Sequence, residues 1–168
     1  KLYGQWLAET AGFVYDHEKF VPADMLKAIC EHKVTTFCAP PTVYRYFIKE
    51  DLSQYDFSHM KWATTAGEPL NPEVYHQFYK ATGLKLYEIY GQTELTVTVG
   101  TFIWMEPKPG SMGKPSPLFD VDIVNEAGEP CKWGESGEIV VRTDKGVNPG
   151  MFLGYYRDEE LTRKVWHD

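Results

Sequence analysis

At 168 residues, with 43% hydrophobic and 24% charged side chains, the chain has the composition of a globular protein of one or two domains, which excludes a disordered or fibrous class. A net charge of −7 without any run of Lys and Arg excludes a nucleic-acid surface, because such a surface needs a clustered basic face. No apolar stretch reaches the ~20 residues of a membrane helix, nothing at the start resembles a signal peptide, and Cys30, Cys38 and Cys131 show no C-x-x-C spacing, which argues against a disulfide framework or a zinc site. A reducing, cytoplasmic setting is therefore expected. Any polyanion would have to be held by backbone N–H groups and a metal ion. The opening Lys1-Leu2-Tyr3-Gly4 lacks an initiator methionine and reads as mid-helix, so the chain is expected to be a piece of a longer protein.

In chain order, residues 2–10 read as the end of a helix stopped at Gly12, with Phe13-Val14-Tyr15 as a short buried strand and 16–20 as a polar connection. From Pro22, the apolar residues Met25, Leu26, Ile29 and Cys30 recur at helical spacing. Residues 34–39 read as a buried strand stopped by Pro40-Pro41. A helix with Thr42 as N-cap follows, carrying Val43, Tyr44, Tyr46, Phe47 and Ile48. The unit repeats, with residues 61–66 as strand, Gly67-Glu68-Pro69 as loop, a helix capped by Asn71 and ended by Gly83, and residues 85–89 as the next strand. Alternation of this kind predicts an α/β fold with a parallel sheet and packed helices. Ligands of such sheets sit at the carboxyl ends of the strands, which puts residues 67–69 and 88–93 on one rim.

After Gly100 six prolines and glycines crowd into residues 107–117, which rules out regular helix or central strand there. Residues 119–125 and 137–142 read as two antiparallel strands joined by a turn at 125–130, so a small β-subdomain is expected to follow. The boundary is placed between 105 and 106, dividing the chain into 1–105, a partial nucleotide-binding α/β part, and 106–168, a partial β-rich part.

The chemistry concentrates in Glu88-Ile89-Tyr90-Gly91-Gln92-Thr93-Glu94, where an apolar strand runs into a glycine and three polar side chains. Gly91 lets a ligand approach the backbone. Gln92, Thr93 and Glu94 supply an amide, a hydroxyl and a carboxylate, enough for a polyanion and a shared hard cation. Read alone, this stretch is equally an ordinary solvated turn followed by a β-rich segment at 95–99. Three further segments accompany it: Ala39-Pro40-Pro41-Thr42, Ala66-Gly67-Glu68-Pro69-Leu70 and Gly134-Glu135-Ser136-Gly137-Glu138-Ile139.

Together, and in this order, the four segments resemble the adenylate-forming (AMP-binding) superfamily, and within it the acetyl- and medium-chain acyl-CoA synthetase branch. The resemblance covers nearly the whole chain and makes it a central fragment of the family's large N-terminal domain. It implies that Gly67, Glu68, Pro69, Glu88, Ile89, Tyr90, Gly91, Gln92 and Thr93 surround the adenine and ribose of ATP, with Tyr90 against the purine. It implies further that Thr93 reaches the α-phosphate and that Glu94 holds Mg²⁺. The loop 110–115 resembles the segment beside the acyl pocket, and it is equally a plain linker. Gly150 to Thr162 resembles a G-Y-x-x-x-P-E-x-T segment, with Glu159 in place of the proline. The family's phosphate loop, its ribose-binding aspartate and its catalytic lysine are expected outside this chain, and Asp168 is not that aspartate because no Thr-Gly precedes it. The fragment alone is expected to be inactive.

The activity so implied is an acid–thiol ligase using ATP, Mg²⁺ and coenzyme A, a reaction of fatty acid metabolism. Glycine at position 91, where acetate-specific enzymes resemble one another in a tryptophan, suggests an acid longer than acetate. The alternatives are an adenylating ligase for an aryl acid or a carrier-protein thiol, and a non-catalytic nucleotide-binding α/β module. Nothing in the sequence indicates an oligomeric state.

Overall fold

Helix starts and stops follow local chemistry in the computed structural model, which describes residues 2–166. The readings that fall on His167 and Asp168 lie outside the described residues. After α1 (Leu2–Leu7), helix α2 (Pro22–Glu31) begins with proline in its first turn and buries Leu26, Ala28 and Ile29. Strand β1 (Thr36–Ala39) leads into α3 (Pro41–Phe47), and a single 3-10 turn (Leu52–Gln54) precedes β2 (Trp62–Thr65). Helix α4 (Pro72–Thr82) has both predicted caps. The Asn71 carboxamide oxygen accepts from the Glu73 N–H at 2.8 Å, and Gly83 closes the helix at φ 73°. Then come β3 (Leu86–Tyr90), β4 (Val99–Gly100), β5 (Lys114–Pro115), β6 (Val121–Val124), β7 (Glu138–Val141) and α5 (Glu159–Val165).

The elements form two compact units, Lys1–Thr65 with Leu70–Leu86, and Ala66–Pro69 with Tyr87–Asp168. In the first, β1 and β2 pair in parallel, Thr36 opposite Trp62 and Ala39 opposite Thr65, as the strand–helix–strand alternation predicts. The core of this unit is aromatic. Tyr44, Phe47 and Phe78 are almost fully buried, Tyr44 and Phe78 meeting edge to face at 5.1 Å. Each such side chain contributes about 1.5–3 kcal/mol of burial. The Tyr44 hydroxyl, pushed far up in pKa by burial, donates to the Thr64 carbonyl at 3.0 Å, so a polar core atom pins helix α3 to strand β2.

The second unit is antiparallel. β3 pairs with β4 through Ile89 opposite Gly100 and Tyr90 opposite Val99, and β4 pairs with β5. β6 and β7 form the predicted separate pair, Val121 opposite Val141. Its turn is held by the Asn125 side chain, which accepts from the N–H groups of Ala127 and Glu129, both at 3.0 Å. The Arg142 guanidinium bonds Asp122 across the pair.

The structure corrects several local expectations. Phe13, Val14 and Tyr15 form no strand and are exposed. With no strand beside them among the described residues, their rings stack instead, Phe13 on His32 at 4.5 Å and Tyr15 on His17 at 5.4 Å. The helix expected to run to Thr10 ends at Leu7, where the chain turns through Glu9 at φ 54°. α3 starts one residue before Thr42, with Pro40 as its N-cap, because Pro41 has a preset φ that suits the first helical position. Residues 95–99 are not one strand. Leu95 bridges to Met151, the chain bends, and only Val99 joins the sheet. Helix α5 was not foreseen, although Asp158 caps it by accepting from the Leu161 N–H at 2.9 Å.

Candidate functional site

The strand that approaches the candidate site is fixed by its neighbours on the antiparallel side. The Glu88 carbonyl accepts from the Thr101 N–H at 2.8 Å, and the Tyr90 carbonyl from the Thr98 N–H at 2.9 Å. Glu88 is buried at 7% exposure, while Ile89 and Tyr90 are half-buried, so β3 presents only its last residues toward solvent. Beyond Tyr90 the chain turns tightly, and the Gln92 N–H donates to the Leu95 carbonyl at 2.8 Å. Gly91, Gln92 and Thr93 stand exposed on this turn, and Glu94 is half-buried at its far side.

Gly91 is required by this geometry. A Cβ there would lie 2.5 Å from the Thr96 carbonyl oxygen and 3.2 Å from that of Leu95, so no side chain fits unless the turn opens. In this conformation the Cβ direction at Gly91 points at backbone.

Glu94 is held through its side chain and its backbone. Its Oε1 accepts from the Tyr155 hydroxyl at 2.8 Å, across 61 residues of sequence. The backbone around it is tied to the same segment. The Glu94 carbonyl accepts from the Phe152 N–H at 2.8 Å, and the Thr96 N–H donates to the Gly150 carbonyl at 3.2 Å. The Tyr155 hydrogen bond is the main reason that the Glu94 carboxyl is held below its ordinary value, helped by a backbone N–H and opposed by partial burial. The same bond raises the Tyr155 hydroxyl. Glu94 is thus a carboxylate at neutral pH with a fixed orientation. Sequence reasoning did not connect it to Tyr155. The Gly150 to Thr162 segment had been picked out, but nothing in a sequence reveals a contact across 61 residues.

The loop Ala66–Pro69 follows β2 with Gly67 in the left-handed region at φ 96°, Glu68 half-buried and Pro69 exposed. It groups with Tyr87–Asp168 rather than with the strand and helix that flank it in sequence. Gly67, Glu68 and Pro69 therefore share a compact unit with Glu88, Ile89, Tyr90, Gly91, Gln92, Thr93 and Glu94.

No cluster of three or more His, Cys, Asp or Glu side chains is placed to hold a metal among the described residues. A single carboxylate suits Mg²⁺, which keeps several waters and takes its other oxygens from a substrate phosphate. Each carboxylate oxygen has two acceptor positions, so Glu94 retains capacity for a cation while accepting from Tyr155. The donor set fits a hard divalent ion carried in with a polyphosphate, and does not fit a permanently bound zinc. No helix is long and apolar enough to cross a membrane among the described residues.

Residues 4–156 match the family described as AMP-binding enzyme. The mitochondrial acyl-coenzyme A synthetase ACSM3 of Mus musculus is 40% identical over 161 residues, covering 96% of this chain and 28% of that protein. An uncharacterised acyl-CoA ligase of Bacillus subtilis, YtcI, is 45% identical over 150 residues, covering 89% of the chain and 28% of that protein. Among solved structures, the anthranilate CoA ligase AuaEII in complex with anthranoyl-AMP superposes with a TM-score of 0.88 at 24% identity, covering 97% of this chain and 31% of that one. An acyl-CoA synthetase of Brucella canis has a TM-score of 0.74 at 30% identity, over 83% of this chain and 26% of that one. The chain thus spans between a quarter and a third of the length of each.

Proposed function

Because the chain belongs to the AMP-binding enzyme family, we propose that its full-length parent is an acyl-CoA synthetase that activates a carboxylic acid with ATP and passes the acyl group to coenzyme A. In the first step a carboxylate oxygen of the acid bonds to the α-phosphorus of ATP as the bond to the β-phosphate oxygen breaks, giving acyl-adenylate and pyrophosphate. In the second the sulfur of coenzyme A, giving up its thiol proton to solvent, attacks the acyl carbon, and AMP leaves with the electrons of the broken C–O bond. Attack on the α-phosphate brings two anions together, so the site must neutralise charge and hold the reactants in line.

The observation that carries this reading is the tight turn after β3, which ends in a carboxylate oriented by Tyr155. In our assignment Glu94 holds the Mg²⁺ that accompanies ATP, which supplies charge neutralisation at the phosphates. Thr93 donates its hydroxyl toward the α-phosphate. Tyr90 borders the adenine, and Gly67, Glu68, Pro69, Glu88, Ile89, Gly91 and Gln92 form the rest of the nucleotide surface. We place the change from the nucleotide-binding part to the β-rich part near Glu106. We read the acid as longer than acetate from the resemblance at position 91, where acetate-specific enzymes carry tryptophan and this chain carries glycine, and we place the reaction in fatty acid metabolism. Three unpaired cysteines accord with a reducing compartment, which we take to be the cytoplasm.

Replacing Glu94 by Ala in the full-length parent is expected to lower ATP–pyrophosphate exchange by about 10²-fold, the scale of losing one electrostatic stabiliser of a transition state. Exchange unchanged by that substitution would remove Glu94 from the metal site.

A further inference from the structure

We propose that Tyr155 is a positioning residue for the cation that accompanies ATP, acting through Glu94. The inference rests on the assignment of Glu94 as the metal-holding carboxylate, and deepens it. The Tyr155 hydroxyl donates to Glu94 Oε1 at 2.8 Å in a half-buried setting. Glu94 sits on a turn whose preceding residues, Gln92 and Thr93, are exposed, so its side chain has no rigid element of its own to hold it. Tyr155 has one. Its backbone N–H donates to the Thr162 hydroxyl at 2.9 Å, that hydroxyl donates to the Asp158 carbonyl at 2.8 Å, and the Tyr155 ring meets Phe152 edge to face at 5.0 Å. Phe152 in turn donates its N–H to the Glu94 carbonyl at 2.8 Å, so backbone and side chain of Glu94 are both tied to residues 152–155.

The consequence is chemical. A carboxylate on an exposed turn samples several rotamers, and each ligation would have to select one. A phenol that fixes one oxygen leaves the remaining acceptor positions aimed in a constant direction. Partners of this kind behind a metal ligand typically change metal affinity by about 10–100-fold.

The test uses the full-length parent and calorimetric titration with ATP, once with Mg²⁺ and once with the metal chelated. The ratio of the two affinities reads the metal's contribution without requiring turnover. Tyr155→Phe keeps the ring and its contact with Phe152 and removes only the hydroxyl. We expect it to reduce the ratio by about 10-fold, with affinity for metal-free ATP and KM for the acid unchanged, and Glu94→Gln to reduce the ratio at least as far. A ratio unchanged by Tyr155→Phe but reduced by Glu94→Gln would overturn the positioning role and leave the metal assignment standing. A ratio unchanged by Glu94→Gln would overturn the metal assignment itself. Equal losses with and without metal in Tyr155→Phe would show general loosening of the turn and would also overturn the proposal.

Discussion

A Cβ at Gly91 and a Cβ at Gly83 would be unfavourable for opposite reasons. At Gly83 nothing lies within 4 Å, and the cost is the left-handed φ of 73°. At Gly91 the Thr96 carbonyl stands 2.5 Å away, and the cost is overlap with backbone. Gly83→Ala is therefore expected to cost about 1–2 kcal/mol from φ alone. Gly91→Ala is expected to cost about 1–3 kcal/mol, as overpacked sites do, and also to displace the turn that carries Thr93 and Glu94. Thermal denaturation of the full-length parent together with ATP titration separates the two. Both variants should melt lower, and only Gly91→Ala should also bind ATP more weakly. Equal ATP affinity in both would argue that the 91–96 turn lies away from the nucleotide. At this scale the run Glu88 to Glu94 was legible because it is contiguous, and glycine followed by amide, hydroxyl and carboxylate is a chemical statement in itself. The Tyr155 contact was not legible, because hydrogen bonds between distant residues are set by the path of the chain.

Helix α4 shows how much an element can announce. Asn71 at its N-cap, Pro72 at its first position, Glu73 in its first turn and Gly83 at its end agree with one another, and the structure uses all of them. Asn71→Ala should cost about 1 kcal/mol, read as a lower melting midpoint. Unchanged stability would mean that the helix start is held by packing of Val74 and Tyr75 instead. The 3-10 turn at Leu52–Gln54 offers a pH test. Asp51 is held below the ordinary aspartate value, first by the Ser53 hydroxyl at 2.6 Å, then by the Gln54 amide and the Ser53 N–H. A carboxyl depressed in the folded state stabilises fully above its unfolded value, and that contribution is lost as pH falls through its folded value. Asp51→Asn should therefore be less stable than the parent at neutral pH, and the gap should close in acid below the ordinary aspartate range. A gap that persisted in acid would assign the effect to something other than the charge. Elements failed to announce themselves where their pattern depends on a neighbour. Phe13-Val14-Tyr15 has strand-forming residues and, among the described residues, no strand beside it, so propensity is overridden by the lack of a ladder partner. Residues 95–99 are also rich in strand-forming side chains, but Leu95 is drawn to Met151, which breaks the run.

For the molecule as a whole, the parallel β1–β2 pair with its helices and the later antiparallel β6–β7 pair were legible from alternation and turn chemistry. The assignment of Ala66–Pro69 to the unit that contains β3 to α5 was not, because its sequence neighbours belong to the other unit. That assignment matters for the account, since it puts Gly67-Glu68-Pro69 in the same folded body as Glu94. The chain corresponds to 28% of the length of the mouse ACSM3 protein, so the proposed activity is to be measured on the full-length parent. The most direct measurement is ATP–pyrophosphate exchange by that protein with Mg²⁺ and, one at a time, acetate, butyrate, octanoate, decanoate and benzoate. The account predicts exchange that requires both Mg²⁺ and an acid, and that is faster with octanoate than with acetate. Exchange fastest with benzoate would contradict the aliphatic assignment, and absence of exchange with every acid from a folded protein would contradict adenylation.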